Sequence, residues 1–293
     1  MSLKYQSHTV GFPVFTVTNA GNNSEFLVGG GGGGTKVNSK LELEIVSEHV
    51  FDKTDDGCMT VAAHPTKRAF IAGVNKSAEE IKKGNNINAR FFLLQNNSMV
   101  LYPDKSVATL SSTDPYHFQK CSRFTRDGKI FISGTSEGYL TMWNWPDMTP
   151  YLSPMNFDNE ITDIHVDSNN ANIAVVTSDK LRVLDLQKGK IRWAYSETKF
   201  NNIQCEIRCA RYNVLTRFGN ENELYLVLNS KSKKDGFILK FDTSTWQLKK
   251  SKRVCSKPIT AFNISDNGKL LCFGSADMSI NVIDSERFSV TLY

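Results

Sequence analysis

Cysteine and histidine are scarce in this chain and are not grouped as a metal site would require. The 293 residues include six cysteines and five histidines. Zinc sites usually draw on closely spaced cysteine pairs, whereas the nearest pair here, Cys205 and Cys209, is four positions apart with no second pair beside it. A secreted disulfide scaffold would be shorter and denser in cysteine. We therefore predict reduced, buried thiols in a protein that faces the cytosol.

Long apolar runs and catalytic sequence patterns are also missing. No window approaches the roughly 18 uninterrupted apolar residues of a membrane-spanning helix, and the N-terminus lacks the apolar core of a secretory signal. The chain contains no H-E-x-x-H, and the histidines fall in different parts of the sequence without a shared spacing. These absences disfavour a transmembrane protein and side-chain catalysis, so a binding protein is the expectation.

Charge gives only weak guidance to a partner. The chain has 35 basic and 30 acidic residues, for a net charge of +5, and most of these charges are interspersed. The densest basic stretches are Lys231, Lys233 and Lys234, then Lys249, Lys250, Lys252 and Arg253. Contact with phosphates or an anionic membrane is one interpretation, but exposed hairpin tips kept soluble by lysine are favoured. Nucleic-acid binding is disfavoured because aromatic residues are not interleaved with the basic ones.

The sequence does contain an internal repeat. Residues 118–157 read as four short strands, with glycine-containing turns at 126–129 and 136–138. The same plan recurs in residues 161–195 and 258–292, where alternating apolar residues are again separated by turn residues. Four-stranded units about 40 residues apart are typical of propeller blades.

Three further segments fit this plan less closely and bring the number of units to six; they are residues 12–56, 58–114 and 199–254. Third strands end in a degraded form of the Trp-Asp dipeptide, at Trp143-Asn144, Leu184-Asp185, Phe241-Asp242 and Ile283-Asp284. The Gly-His half of the WD signature is absent. We predict an all-β, WD-type β-propeller of about six blades, forming a single domain over residues 1–293.

An insert interrupts the second unit between its second and third strands. Residues 76–88 are charged, can hold one helical turn around 78–81, and end in Gly84-Asn85-Asn86, which reads as a loop. An insertion on one face of a repeat array often marks a binding face. A tolerated surface loop is the favoured interpretation, and contact with a partner is the alternative.

Six consecutive glycines, Gly29 to Gly34, interrupt the first unit. Glycine loses more backbone freedom on ordering than any other residue, so the run suggests a loop that needs positive φ angles or close approach to a ligand. A flexible linker is disfavoured because the run lies between two strands of one unit. Nucleotide binding is disfavoured too, because glycine-rich phosphate loops precede a helix, whereas residues 40–45 alternate with the period of a strand.

Residues 10–46 resemble the start of the endoplasmic-reticulum guanine-nucleotide exchange factors that activate the Sar-type small GTPase, the prolactin regulatory element-binding protein family. An aromatic-proline pair, Phe12-Pro13, begins the first strand, and a strand ending in four glycines is followed by a loop and a return strand. The blade pattern resembles the family through residue 293, but only the glycine loop is specific to it.

The resemblance implies a seven-bladed propeller whose glycine-initiated loop binds a potassium ion and presses on the GTPase. Gly30 to Gly33 match the family's tetraglycine, and Gly34 to Ser39 form the projecting loop. Glycine carbonyl oxygens can surround a weakly hydrated cation. We therefore predict potassium ligands among Gly30, Gly31, Gly32, Gly33, Gly34, Thr35 and Asn38, and GTPase contacts at Val37, Asn38 and Ser39.

The family pattern also has an asparagine late in this loop, where Ser39 stands here, while Asn38 comes one position early. This departure keeps a second interpretation open, a non-catalytic WD scaffold of the early secretory pathway. We expect a monomer at the cytosolic face of the endoplasmic reticulum membrane, where exchange starts the assembly of COPII vesicle coats. The six units further predict a chain that stops before a seventh blade and a membrane anchor.

Overall fold

The structure, a computed structural model, describes residues 12–19, 26–31, 40–43, 47–96, 98–213 and 223–289. Strands dominate these residues and form six antiparallel sheets, ordered along the sequence. Each sheet corresponds to one of the six repeat units, which confirms an all-β, WD-type β-propeller of about six blades. By internal contacts the chain divides into two compact units, Met1–Ile161 and Thr162–Tyr293. The prediction of a single domain stays a prediction.

The described residues of the first unit contain three sheets. Sheet 1 consists of β1 (Val14–Asn19), β2 (Phe26–Gly30), β3 (Lys40–Leu43) and β4 (Ser47–Val50). Sheet 2 consists of β5 (Cys58–Ala63), β6 (Ala69–Val74), β7 (Ala89–Gln95) and β8 (Ser98–Leu101), with helix α1 (Ala78–Lys82) between β6 and β7. After a short 3-10 helix (Pro103–Lys105), sheet 3 consists of β9 (Gln119–Phe124), β10 (Ile130–Thr135), β11 (Tyr139–Asn144) and β12 (Thr149–Asn156).

The described residues of the second unit also contain three sheets. Sheet 4 consists of β13 (Ile161–Val166), β14 (Asn172–Thr177), β15 (Leu181–Asp185) and β16 (Ile191–Tyr195). Sheet 5 consists of β17 (Lys199–Phe200), β18 (Ile203–Tyr212), β19 (Glu223–Ser230), β20 (Gly236–Asp242) and β21 (Leu248–Cys255). Sheet 6 consists of β22 (Ile259–Ile264), β23 (Leu270–Ser275) and β24 (Ile280–Asp284).

Inner strands form the buried centre of most sheets. Every residue of β6, β10 and β19 is buried, and these strands are largely apolar runs bounded by turns. The fourth strands β12 and β16, at the outer edge of their sheets, contain no fully buried residue. Burying a leucine, isoleucine or phenylalanine side chain stabilises the fold by about 1.5–3 kcal/mol. The central strands therefore contribute most of the packing energy.

Neighbouring sheets of one unit pack through their first or second strands. In the first unit β5 contacts both β1 and β9, and in the second unit β18 contacts β14 and β22. Leu27, Val61 and Phe70 join sheets 1 and 2 in one apolar core. Strands of an antiparallel sheet alternate in direction, so the second and the fourth strand end at the same side of the sheet. The ends of β2, β4, β6 and β8 therefore lie on one side of the first unit, and we call this side, where the strands end, the edge.

Aspartate at the degraded WD position shapes the turn after the third strand. The carboxylates of Asp185, Asp242 and Asp284 each accept a hydrogen bond, of 2.8 to 3.0 Å, from the backbone N–H two residues further along. The carbonyl oxygen of each aspartate accepts a second bond from the N–H four residues along, where φ is positive. Aspartate supports such turns through its own side chain. The repeated dipeptide thus marks a repeated hairpin.

Three details of the sequence-based interpretation were wrong. Sheet 5 carries the additional short strand β17, whose two residues are too few to show an alternating pattern. Residues 249–253 lie within β21 rather than at a hairpin tip, because an outer strand accepts lysine at its exposed positions. Cys272 is exposed on β23 and Cys121 and Cys255 are only partly buried, whereas Cys58, Cys205 and Cys209 are buried as predicted.

Candidate partner-binding edge at the glycine-rich strand

The glycine run begins inside a strand. Gly29 and Gly30 are the last two residues of β2 and pair with β1 on one side and β3 on the other. A Cβ atom on Gly30 would lie 1.9 Å from the carbonyl oxygen of Pro13, and one on Gly29 would lie 2.8 Å from Sγ of Cys58. Both glycines are therefore needed for the close packing of sheet 1.

Gly31 leaves the strand with a φ of +98°, a value that residues with a side chain rarely adopt. Its N–H donates to the carbonyl oxygen of Pro13 at 2.9 Å. Its own carbonyl oxygen faces Gly57, where an added Cβ atom would lie 3.0 Å away. The positive φ that the sequence predicted for this run is thus present at Gly31, and the start of the loop is held between two backbone segments.

The other predicted site residues lie outside the described residues. They are Gly32, Gly33, Gly34, Thr35, Val37, Asn38 and Ser39. The structure therefore places Gly30 and Gly31 together at the base of the loop, and the potassium site and the GTPase contacts stay predictions. Within the described part of the chain, no three His, Cys, Asp or Glu side chains are grouped so that they could hold a metal ion.

The connection between β4 and β5 lies next to this base and carries a buried ion pair. Nη1 of Arg90 is 2.6 Å from Oδ2 of Asp55, and both side chains are buried. Nζ of Lys76 is 3.7 Å from the other oxygen of Asp55. The N–H of Asp56 donates to the carbonyl oxygen of Asn75 at 3.0 Å. Removing one partner of a buried ion pair is strongly destabilising, so this connection is firmly attached to sheet 2 and to the insert.

The insert of residues 76–88 contains the helical turn that the sequence predicted. Helix α1 begins after Ser77, whose Oγ accepts a hydrogen bond from the N–H of Glu80 at 3.3 Å. Ile81 is the buried residue of α1. On the exposed face Nζ of Lys83 donates to the Glu80 carboxylate at 2.8 Å, and this bond is the main cause that lowers the pKa of Glu80. The helix is thus attached by one apolar side chain and presents charged groups outward.

Buried asparagines hold both ends of the insert. Oδ1 of Asn86 accepts from the N–H of Lys76 at 3.0 Å, and its Nδ2 donates to Oδ1 of Asn75 at 3.1 Å. Asn88 forms two hydrogen bonds with Thr109, of 2.7 and 2.9 Å. Fully satisfied buried amide networks rigidify the chain around them. A loop that is only tolerated on the surface would not require these anchors.

The connection between β8 and β9 belongs to the same edge. The carboxylate of Glu137 accepts hydrogen bonds from the N–H groups of Ser111 and Ser112, at 3.3 and 2.5 Å. Nδ2 of Asn75 donates to the carbonyl oxygen of His117 at 2.8 Å. This connection is therefore tied both to sheet 3 and to the insert.

The ionisable groups beneath the glycine-rich strand are packing residues. Burial raises the pKa of the Cys58 thiol to about 12. Burial is also the main cause that lowers the pKa of His49, with the nearby charge of Arg90 adding to it. The neutral imidazole packs edge-on against Phe51, with ring centroids 4.8 Å apart. What this edge offers is a rigid surface of backbone and side chains.

Sequence reasoning missed the buried ion pair and the asparagine anchors. Arg90 interrupts an otherwise apolar segment of β7, and arginine is rarely buried without a partner. That position was a usable signal for a buried ion pair, although not for the identity of its partner. Asn75, Asn86 and Asn88 gave no such signal, because asparagine is also common in ordinary loops.

The basic stretches differ in their surroundings. In β21 Lys249 pairs with Asp242 at 2.9 Å, Arg253 pairs with Asp235, and Lys252 donates to a main-chain oxygen at 2.8 Å. The other stretch lies at the exposed tip between β19 and β20, as predicted. The lysines of β21 thus have a structural use. Throughout the described residues, no helix has the length and apolar character needed to cross a membrane.

Fold and site together define a WD-type β-propeller in which a glycine-terminated strand adjoins a rigid, loop-rich edge. No protein-family model matches this chain. SEC12-like protein 2 of Arabidopsis thaliana is 26% identical over 164 residues, which are 56% of this chain and 40% of that protein. SEC12-like protein 1 of the same plant is 19% identical over 259 residues, which are 88% of this chain and 60% of that protein.

This chain therefore spans about half the length of the curated relatives it matches. Both similarities, together with the propeller fold, support a relationship to SEC12-related WD-repeat proteins.

Proposed function

We propose that this protein is a guanine-nucleotide exchange factor for a Sar-type small GTPase. It acts at the cytosolic face of the endoplasmic reticulum membrane and starts the assembly of COPII coats. The observation that carries the proposal is the end of β2, where Gly30 and Gly31 are held against Pro13 and Gly57 as the loop begins. The SEC12-like relatives support it, because they point to the same family as the glycine-loop resemblance.

Nucleotide exchange needs a rigid binding surface rather than reactive side chains. An exchange factor accelerates nucleotide release by binding the nucleotide-free GTPase more tightly than the loaded form. A loop that is ordered before binding suits this task, because pre-ordering lowers the cost of association. The closely packed end of β2 supplies a rigid base. Val37, Asn38 and Ser39 would make the contacts with the GTPase.

A potassium ion would complete the order of this loop. The carbonyl oxygens of Gly30 to Gly34, with Thr35 and Asn38, would supply a neutral oxygen donor set of the kind that surrounds a weakly hydrated cation. Of these positions Gly30 and Gly31 are described, and Gly31 turns out of the strand with a positive φ where the donor set begins. When bound, the ion would supply the charge that holds these oxygens in one arrangement.

Release of labelled GDP from a purified Sar-type GTPase tests the proposal. We expect the protein to accelerate release in potassium buffer and to do so less in sodium buffer. The double substitution Val37→Ala with Asn38→Ala should reduce the acceleration about tenfold, which corresponds to about 1.4 kcal/mol of binding to the nucleotide-free state. Lys233→Ala with Lys234→Ala, at the tip between β19 and β20, is the control and should leave the rate unchanged. No acceleration by the folded wild type would contradict the proposal.

A non-catalytic scaffold is the second candidate function. The observation that favours it is Ser39, which stands where the family pattern has an asparagine. A scaffold would bind the GTPase without accelerating the release of GDP. Substituting Ser39→Asn separates the two functions, because a gain of acceleration in this variant alone would identify the wild type as the scaffold.

A further inference from the structure

The edge that carries the glycine loop extends well beyond the loop. The carbonyl oxygen of Gly31 faces Gly57. The next residue back, Asp56, donates to Asn75, and Asn75 in turn donates to His117, with bonds of 3.0 and 2.8 Å. Three connections are thereby joined side by side to the base of the loop. We call them the rim, which comprises residues 52–57, 75–88 and 111–118.

The rim exposes two large side chains on a fixed backbone. Ile87 is 48% exposed although it lies between Asn86 and Asn88, both of which are buried. Tyr116 is 86% exposed, and its N–H donates to Oδ1 of Asp114 at 2.9 Å. A single exposed apolar residue is normal on a protein surface. Ile87 and Tyr116, however, are the sequence neighbours of Asn86 and His117. These two residues belong to one hydrogen-bond network, because each is hydrogen-bonded to Asn75.

The size of a stable interface requires more surface than the loop provides. A protein–protein interface usually engages about 20–30 residues on each side. The segment from Gly30 to Ser39 supplies at most ten. A partner that binds this loop must therefore also contact the surface around the base of the loop. The rim is continuous with that base.

We propose that the rim binds the same small GTPase as the glycine loop, with Ile87 and Tyr116 as its anchor residues. The inference rests on the proposed function and extends the partner-binding site by three connections. Tyrosine is enriched among the residues that carry most of the binding energy of an interface, and the buried core of an interface is more apolar than its surroundings. In this arrangement the loop reaches into the partner while the rim fixes its orientation.

The charges of the rim favour a protein over an anionic polymer or a lipid surface. The exposed part of α1 and its C-cap carry Glu79, Glu80, Lys82 and Lys83, two acidic and two basic residues. Nucleic acids and anionic membranes select surfaces with an excess of positive charge. A mixed-charge surface around apolar anchors is the usual arrangement of a protein interface.

Binding to the nucleotide-free GTPase, prepared by removing Mg²⁺ and nucleotide with EDTA, tests the rim directly. We expect Ile87→Ser combined with Tyr116→Ser to weaken binding at least tenfold and to slow GDP release in proportion. Ile191→Ser is the matched control, because Ile191 on β16 is 57% exposed and lies outside the rim. It should change neither quantity. Equal thermal midpoints of the variants and the wild type would show that folding is intact.

The possible outcomes test the rim and the exchange function separately. If the wild type binds and accelerates release and the double variant does so equally well, the rim is excluded while the exchange function stands. If the wild type binds without acceleration and the double variant binds more weakly, the rim is supported and the exchange function fails. If the wild type shows neither binding nor acceleration, both proposals are overturned.

Discussion

Two neighbouring second-to-third strand connections of this protein are fixed by opposite means. At the end of β2 side chains are excluded, because Gly30 lies so close to Pro13 that no Cβ atom fits. At the end of β6 side chains are required, because Asn75, Asn86 and Asn88 form the hydrogen bonds that hold the insert.

The two connections therefore tolerate different kinds of substitution. Where the constraint is close approach of backbone atoms, adding a single methyl group is disruptive, and glycine has no side chain whose removal could be tested. Where the constraint is a network of buried amides, removing atoms is disruptive, because donors and acceptors are left without partners. Both devices yield a rigid edge, so rigidity here does not depend on one residue type.

The largest effect is expected from Gly30→Ala. The added methyl group would meet the carbonyl oxygen of Pro13 at 1.9 Å, and main-chain atoms on both sides leave it little room to move. We expect a loss of about 3 kcal/mol in the free energy of unfolding, at the upper end of the usual cost of overpacking. Denaturant titration measures this change.

Gly274→Ala in β23 is the control for this substitution. The nearest atom to its added methyl group is Oγ1 of Thr260 at 3.5 Å, an ordinary contact distance. Alanine should therefore stabilise the protein by about 0.5 kcal/mol through the unfolded chain. Equal effects of the two substitutions would show that close packing is not what sets Gly30 apart.

An intermediate effect is expected from Asn88→Ala. The substitution leaves the buried N–H of Thr109 without its acceptor, at a position where Asn88 is fully buried. An unsatisfied buried donor costs about 2 kcal/mol. Asn85→Ala is the matched control, because Asn85 is exposed, and it should change the free energy of unfolding by no more than about 0.5 kcal/mol. A cost at Asn88 no greater than at Asn85 would mean that the amide network does not hold the insert.

The repeat of the fold could be predicted from the sequence because its signals are local. Period-two alternation and turns such as Asp127-Gly128 occur within a few residues, and the structure confirms four strands in each of sheets 1 to 4. The aspartates Asp185, Asp242 and Asp284 were visible as a repeated dipeptide because each one shapes its own turn. Strand β17 escaped prediction because two residues carry no periodicity.

The edge around the glycine loop could be predicted only in part. The glycine run predicted positive φ, which Gly31 displays, whereas the close packing of Gly30 against Pro13 became visible only in the structure. The contact between Arg90 and Asp55 joins residues 35 positions apart, and such a pairing depends on how sheets pack rather than on any local pattern. Asn86 ends a Gly-Asn-Asn segment that reads as a plain loop, and only its burial reveals it as an anchor.

The smallest effect is expected from Ser77→Ala, which removes the N-cap of α1. Its Oγ accepts from the N–H of Glu80 at 3.3 Å, and losing such a cap costs about 1 kcal/mol at most in a helix this short. Because the asparagines and Ile81 still hold the insert, the change should stay local. Hydrogen exchange at the Glu80 amide should rise about fivefold, consistent with about 1 kcal/mol, while Ser232→Ala at an exposed hairpin tip should leave it unchanged. If exchange rose equally at Asn86 and Asn88, the N-cap of α1 would hold the whole insert. The rigidity of this connection would then depend on the cap as well as on the buried asparagines.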